Sequence, residues 1–192
     1  MSVAAFQSLM AQLVVDPSLC ERLRVDGIAA DADLDTLERQ RLLAIAASPG
    51  LSINHTLHRG FRLGKLKALL PLTCTLMKGV RLQTAIERFW AAHPPRTFYF
   101  LPEAVEFCGF LLTQPSRSRY LREVVAFERS NLELQRARLD TPPQQTVQFD
   151  HDPGRLLGQL AAGHAPKGVP VRSCTAVGNV DDSGRVRWAL QA

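Results

Sequence analysis

Between residues 140 and 144 the hydrophobic pattern of this chain changes period, and that change bounds what it can fold into. Up to residue 140, apolar side chains recur at the spacing of one helix face. After Thr141-Pro142-Pro143 they alternate. Thr146 to Phe149 reads as a short strand, Val169 to Val177 as a second and Arg185 to Leu190 as a third, where Val186, Trp188 and Leu190 are set against Arg185, Arg187 and Ala189. Asp152-Pro153 opens a helix between the first two strands, with Leu156, Leu157 and Leu160 on one side and Gly163 as its stop. Asp181-Asp182-Ser183-Gly184 is a turn that closes the last two strands into a hairpin. The two prolines of the junction remove two backbone donors and stiffen it. The expected fold is α+β: an N-terminal multi-helix bundle over residues 1–140, then a small C-terminal β-rich domain of β-α-β-β layout over residues 144–192.

The helical part is punctuated by its prolines and caps. Residues 3–25 read as a helix pair or a bent helix, with a second segment starting where Asp16 caps and Pro17 takes the first helical position. Asp33 or Asp35 caps a third helix, which Ser48-Pro49-Gly50 stops. From Ser52 to Lys78 the pattern is helical with a break near Pro71; Ile53, Leu57 and Phe61 form one apolar stripe, extended by Leu63, Leu66 and Leu70. His58, Arg62 and Lys65 share another face, either solvated or a docking face for an acidic partner, and Gly60 and Gly64 leave room for another backbone to approach. A helix after Gly79 ends at His93-Pro94-Pro95, and the next runs from near Pro102 to Pro115 with Val105, Phe107 and Phe110 inward. The longest pattern, 119–139, places Leu121, Val124, Val125 and Leu132 on one side, with Glu128 inside the same stripe. A carboxylate in an apolar stripe needs a partner. Arg96, in the turn upstream, is the expected one, which makes Glu128 a structural residue; the alternative, a catalytic glutamate, has no nucleophile, histidine cluster or glycine loop nearby to support it.

Several chemistries find no support. The four cysteines, Cys20, Cys74, Cys108 and Cys174, are scattered, with no Cys-x-x-Cys pair for zinc or dithiol redox work. Cys20, Cys74 and Cys108 read as small buried hydrophobes. His55 and His58 are three apart, but no third metal ligand is in reach by sequence. Neither a nucleophile–base constellation nor a phosphate-binding glycine loop is legible. No apolar run spans a bilayer, and no basic segment of a secretory signal precedes Asp16, so a soluble cytoplasmic protein is expected. The net charge of +5 and a sequence pI of about 9.4 favour an acidic partner: nucleic acid, a protein face or a peptide. Arginine far outnumbers lysine, which suits fixed planar contacts more than a loose phosphate-binding cloud.

Three strands leave open edges, and edges need cover or a partner. The helical half or the 153–162 helix is one such cover. A rim of Arg172, Arg185 and Arg187 instead accepts an extended acidic peptide by strand addition. On that reading Val171, Arg172, Ser173, Cys174, Thr175, Arg185, Arg187 and Trp188 are the candidate peptide-binding residues.

The runs LHRGFRLGKLKALLPLTCTLMKG, FWAAHPPR, EFCGFL and YLREVVAFERSNLELQRA carry a family resemblance across residues 55–139. Its spaced positions are Arg59, Leu66, Leu69, Pro71, Leu76, Gly79, Phe89, His93 to Arg96, Phe107, Phe110, Leu111, Tyr120, Leu121, Ala126 and Glu128. The chain resembles the helical (HvfC-like) proteins encoded beside multinuclear-iron TIM-barrel oxidases, and in length and C-terminal half the MbnC-like partner subunits of methanobactin biosynthesis. The resemblance implies a non-catalytic subunit that forms a heterodimer with the iron-dependent oxidase. It also implies that the C-terminal sheet binds the leader of a ribosomal precursor peptide, whose cysteines the enzyme oxidises to oxazolone and thioamide groups of a copper chelator. The iron then belongs to the partner enzyme, with no cofactor in this chain. The candidate contact surface for the enzyme is Arg59, Arg62, Lys65, His93, Arg96, Phe98 and Tyr99. Two other classes compete: a nucleic-acid-binding helical protein, against which no dense basic recognition helix stands out, and a small subunit of a ring-opening dioxygenase, which AFQSLMAQLVVDPSLCERL resembles.

Overall fold

Nine helices and three strands occupy the described residues, which are 3–29, 33–93, 100–116, 118–136 and 144–191 of a computed structural model. In order they are α1 (Val3–Val15), α2 (Pro17–Asp26), α3 (Thr36–Ala46), α4 (Pro49–Leu69), α5 (Pro71–Met77), α6 (Gly79–Ala92), α7 (Phe100–Thr113), α8 (Leu121–Arg136), β1 (Gln144–His151), α9 (Pro153–Ala161), β2 (Val171–Val180) and β3 (Val186–Gln191). This is the α+β fold with the β-α-β-β tail that the change of period predicts. The caps act as their chemistry requires. The Asp16 carboxylate accepts the Ser18 N–H at 2.9 Å, with Pro17 in the first turn. Of the two candidates before α3, Asp35 is the cap: it accepts the Glu38 N–H at 2.7 Å while Glu38 accepts the Asp35 N–H at 2.9 Å. Asp152 accepts the Arg155 N–H at 2.7 Å at the start of α9.

The chain forms two compact units, one within residues 1–64 and one beginning at Lys65 that contains the sheet. This division differs from the one expected at 140–144, because α8 packs on β1 and β2 and the sheet shares its core with helices. In the first unit Leu13, Cys20, Leu23, Leu42 and Ala46 form the core, with Phe6, Met10 and Ile45 around it. The Arg24 guanidinium donates to the Ala46 carbonyl at 3.1 Å and ties α2 to the end of α3.

In the second unit α8 is the central element. Its Val124, with Tyr120 just before it, packs on Leu156, Leu160 and Val169. Farther along, Ala126 and Phe127 meet the sheet's inner row of Val147, Phe149, Cys174 and Ala176. Phe89 of α6 packs at a tilt against Phe107 and Phe110 of α7, with ring centroids 5.1 and 5.6 Å away. The sheet order is β1-β2-β3, antiparallel throughout, with Val147 opposite Ala176 opposite Leu190 and Gln145 opposite Gly178 opposite Trp188. Gly178 is there because a Cβ would lie 2.8 Å from both Leu134 Cδ1 and Trp188 Cη2. No described helix is long and apolar enough to cross a membrane.

Candidate functional site

β3 pairs with β2 on one side, and among the described residues it has no strand on the other. The hairpin fixes which backbone groups face outward. Its closing bond runs from the Asp181 N–H to the Arg185 carbonyl at 2.9 Å, and the Gly184 N–H reaches the Asp181 carbonyl at 2.8 Å. Gly184 sits at φ +77°, where a side chain would be strained. Antiparallel pairing alternates from that closing bond. It turns the backbones of Arg187, Ala189 and Gln191 toward β2 and those of Val186, Trp188 and Leu190 toward the open edge. Trp188 anchors the strand from its inner face: its ring lies 4.9 Å from Phe127, and its N–H points to Asn131 Oδ1 at 3.4 Å. The opposite edge, β1, is partly closed, because the Glu123 carboxylate accepts the Asp150 and His151 N–H groups at 3.1 Å each.

The eight candidate peptide-binding residues separate into groups. Arg185 and Arg187 lie on or beside the open edge and are exposed. Arg187 is engaged, its Nε 3.0 Å from Asp181 Oδ2. Hydrogen bonds from the Ser183 hydroxyl, the Arg185 N–H and the Arg187 guanidinium hold the Asp181 carboxyl well below the usual carboxylate range. Arg172 does not belong to this rim. The β2–β3 pairing stops at Thr175 opposite Gln191, so Arg172 sits beyond it and pairs with Asp152 at 3.3 Å. Val171 and Ser173 are exposed on that same extension. The assignment of Cys174 to a peptide surface is corrected: its side chain is buried in the sheet core beside Phe149 and Ala176, where strand alternation turns it toward α8. Thr175 is half-buried and donates its hydroxyl to Gln148 Oε1 at 2.9 Å, and Trp188 is half-buried against α8.

The surface expected to face a partner enzyme also changes. Arg62 is only 7% exposed, so the solvated reading of its face fails there. Arg59 and Lys65 are exposed. His93 caps the end of α6, with Nδ1 3.2 Å from the Phe89 carbonyl and its ring stacked 4.7 Å from Phe89, which is a packing role. Arg96, Phe98 and Tyr99 lie outside the described residues.

Glu128 is buried as its position in the stripe predicts, at 6% exposure. The expected Arg96 partner lies outside the described residues; the contacts that the structure shows are main-chain ones. The carboxylate accepts the Leu72 N–H at 2.7 Å and the Thr73 N–H at 2.8 Å. These are first-turn donors of α5, whose N-cap, Leu70, offers no side-chain acceptor. Burial pushes the Glu128 carboxyl up from its ordinary range, and the two amide donors pull it partly back.

Sequence reading missed Glu123. It is 5% exposed and 2.7 Å from His151 Nδ1, in addition to the two amides it accepts. Tyr120 meets the His151 ring edge-on at 4.8 Å. Its legible signal was its position: Glu123 neighbours Val124 and lies five residues before Glu128, next to the buried stripe. A groove of about 380 Å³ lies elsewhere in this unit, lined by Met77, Val80, Arg81, Arg88, Phe110 and Gln114 among others. Among the described residues no three His, Cys, Asp or Glu side chains converge as a metal site requires. His55, one of the two spaced histidines, has Nε2 2.8 Å from the Leu13 carbonyl. No family model matches this chain, and no curated protein matches it.

Proposed function

We propose that this chain is a non-catalytic partner subunit that binds the leader of a ribosomal precursor peptide along β3 and presents it to a multinuclear-iron TIM-barrel oxidase. The iron and the oxidation of the peptide's cysteines to oxazolone and thioamide groups, in methanobactin-type chelator biosynthesis, belong to that enzyme. The observation that supports this most is the outward backbone row of Val186, Trp188 and Leu190 on a strand with one neighbour. Strand addition uses such a row for affinity and the adjoining side chains for choice. Trp188, fixed on Phe127, holds the row against α8, and Leu190 is an exposed apolar contact beside it.

The test separates the open edge from the internal ladder. Leu190→Pro removes an outward donor and keeps every β2–β3 bond, whereas Ala189→Pro breaks the ladder. In a complex co-expressed with the oxidase, Leu190→Pro lowers precursor affinity roughly fivefold to tenfold, the worth of one net hydrogen bond. Size-exclusion chromatography shows a single complex peak for both wild type and Leu190→Pro. Two separate peaks for the wild type, or precursor affinity unchanged in Leu190→Pro, count against the reading.

A further inference from the structure

The groove of about 380 Å³ beside α6 has the size of a small-molecule site. Val80, Arg81, Thr84, Ala85 and Arg88 line one wall, and they recur at the spacing of one face of α6. Gln83 and Glu87, which bond to each other at 3.2 Å, lie on another side of that helix. The opposite wall comes from Phe110 and Leu111 of α7 and from the turn that follows. Much of the lining is apolar, and Val80 is 80% exposed.

The charged lining is all of one sign. Among the described residues, Arg81 and Arg88 are the charged groups along the groove, and no acid joins them. Seven residues apart, they stand two turns apart on the same side of α6. Gln114 Oε1 accepts from the Arg88 guanidinium at 3.1 Å, which holds that cation against the opposite wall and leaves donors of its fork to spare. Arg81 is exposed and, among the described residues, has no hydrogen-bond or ion-pair partner. Two guanidinium groups beside an apolar surface fit a ligand that is anionic at one end and apolar along its body. The walls favour a small molecule over an extended peptide: α6 and α7 spend their main-chain donors inside the helices and offer no strand edge. We propose that this groove binds a small aliphatic carboxylic acid, its carboxylate on Arg81 and Arg88 and its body on Met77, Val80 and Phe110. The site is separate from the β3 edge and uses other residues, so either assignment can fail alone.

The experiment uses the full chain and isothermal titration calorimetry with octanoate, 1-octanol and acetate, at low and raised salt. Octanoate binds; 1-octanol, which lacks the charge, and acetate, which lacks the body, bind at least about tenfold more weakly. Raised salt weakens the binding of octanoate. Arg81→Gln and Arg88→Gln each lower its affinity about tenfold, the loss of a charge-assisted hydrogen bond. Thr84→Trp, a change at an exposed position of the α6 wall, fills the groove and abolishes binding. Arg136→Gln, at an exposed cation at the end of α8 away from Leu121, leaves it unchanged. Circular dichroism confirms that the variants stay folded. Absence of octanoate binding at low salt overturns the proposal, as does equal binding of 1-octanol or acetate, or unchanged affinity in Arg81→Gln or Thr84→Trp. A tetrapeptide ending in leucine offers the same apolar carboxylate from a chain terminus. Tighter binding of that peptide than of octanoate assigns the groove to a protein end and overturns the proposal as well.

Discussion

Along α8, two carboxylates are buried and each accepts two backbone N–H groups; along α4, three large apolar side chains are each more than half exposed while Arg62 is buried. Polarity alone therefore does not decide what goes inside. A carboxylate is tolerated in the core when it completes someone else's hydrogen bonds. Glu128 completes the start of α5, and Glu123 completes the end of β1 where the strand register shifts. These two residues join three elements of one unit. On α4, by contrast, Ile53, Leu57 and Phe61 each keep more than half of their surface exposed.

If the buried carboxylates of α8 are structural, their removal is costly and substitutions on the α4 ridge are not. Glu128→Ala leaves the Leu72 and Thr73 amides without an acceptor and lowers unfolding free energy by about 3 kcal/mol. Urea denaturation at neutral pH measures it, and a loss within experimental scatter places the carboxylate in water. Glu123→Ala costs less, about 2 kcal/mol, because Asp150 is exposed and its amide can find water. Gly178→Ala crowds Leu134 of α8 and the Trp188 ring, at a cost of about 2 kcal/mol by overpacking; an unchanged melting temperature means that the sheet shifts away from α8. Leu57→Ser stays within about 0.5 kcal/mol of wild type. A larger loss shows that the ridge is part of the fold and removes the contrast.

The smallest effect is a pH slope. Burial raises the folded-state pKa of Glu128, so the folded chain holds that proton more tightly than the unfolded chain does. The stability from this group is full below the unfolded value and is lost as pH rises through the folded value. Glu128→Gln carries no such proton. The stability difference between wild type and Glu128→Gln therefore falls as pH rises from the acid side toward neutrality. A difference that grows with pH contradicts the sign.

Most of the fold was legible because its signals are local. Asp16-Pro17, Asp152-Pro153 and the alternation of Val186, Trp188 and Leu190 each fix structure within a few residues. The stripe of α8 was legible for a related reason: Arg122, Arg129 and Arg136, seven residues apart, mark its other side clearly enough to set the helix's rotation. α4 carries leucines and cations on several sides, so its periodicity shows that it is a helix without showing which face turns inward. The acceptors of α5 were illegible for another reason. Leu72 and Thr73 are separated from Glu128 by more than fifty residues, and main-chain donors leave no mark in the sequence. At the site, the alternation identified the edge strand but not the limit of its pairing, so Arg172 was grouped with arginines at the other end of β2.

Backbone amide hydrogen exchange along β3, with and without the precursor peptide, tests the central claim most directly. Binding along the open edge slows exchange at Val186, Trp188 and Leu190, the three amides turned away from β2, and leaves Arg187 and Ala189 little changed. Peptide binding that leaves those three amides exchanging at their free rates contradicts it.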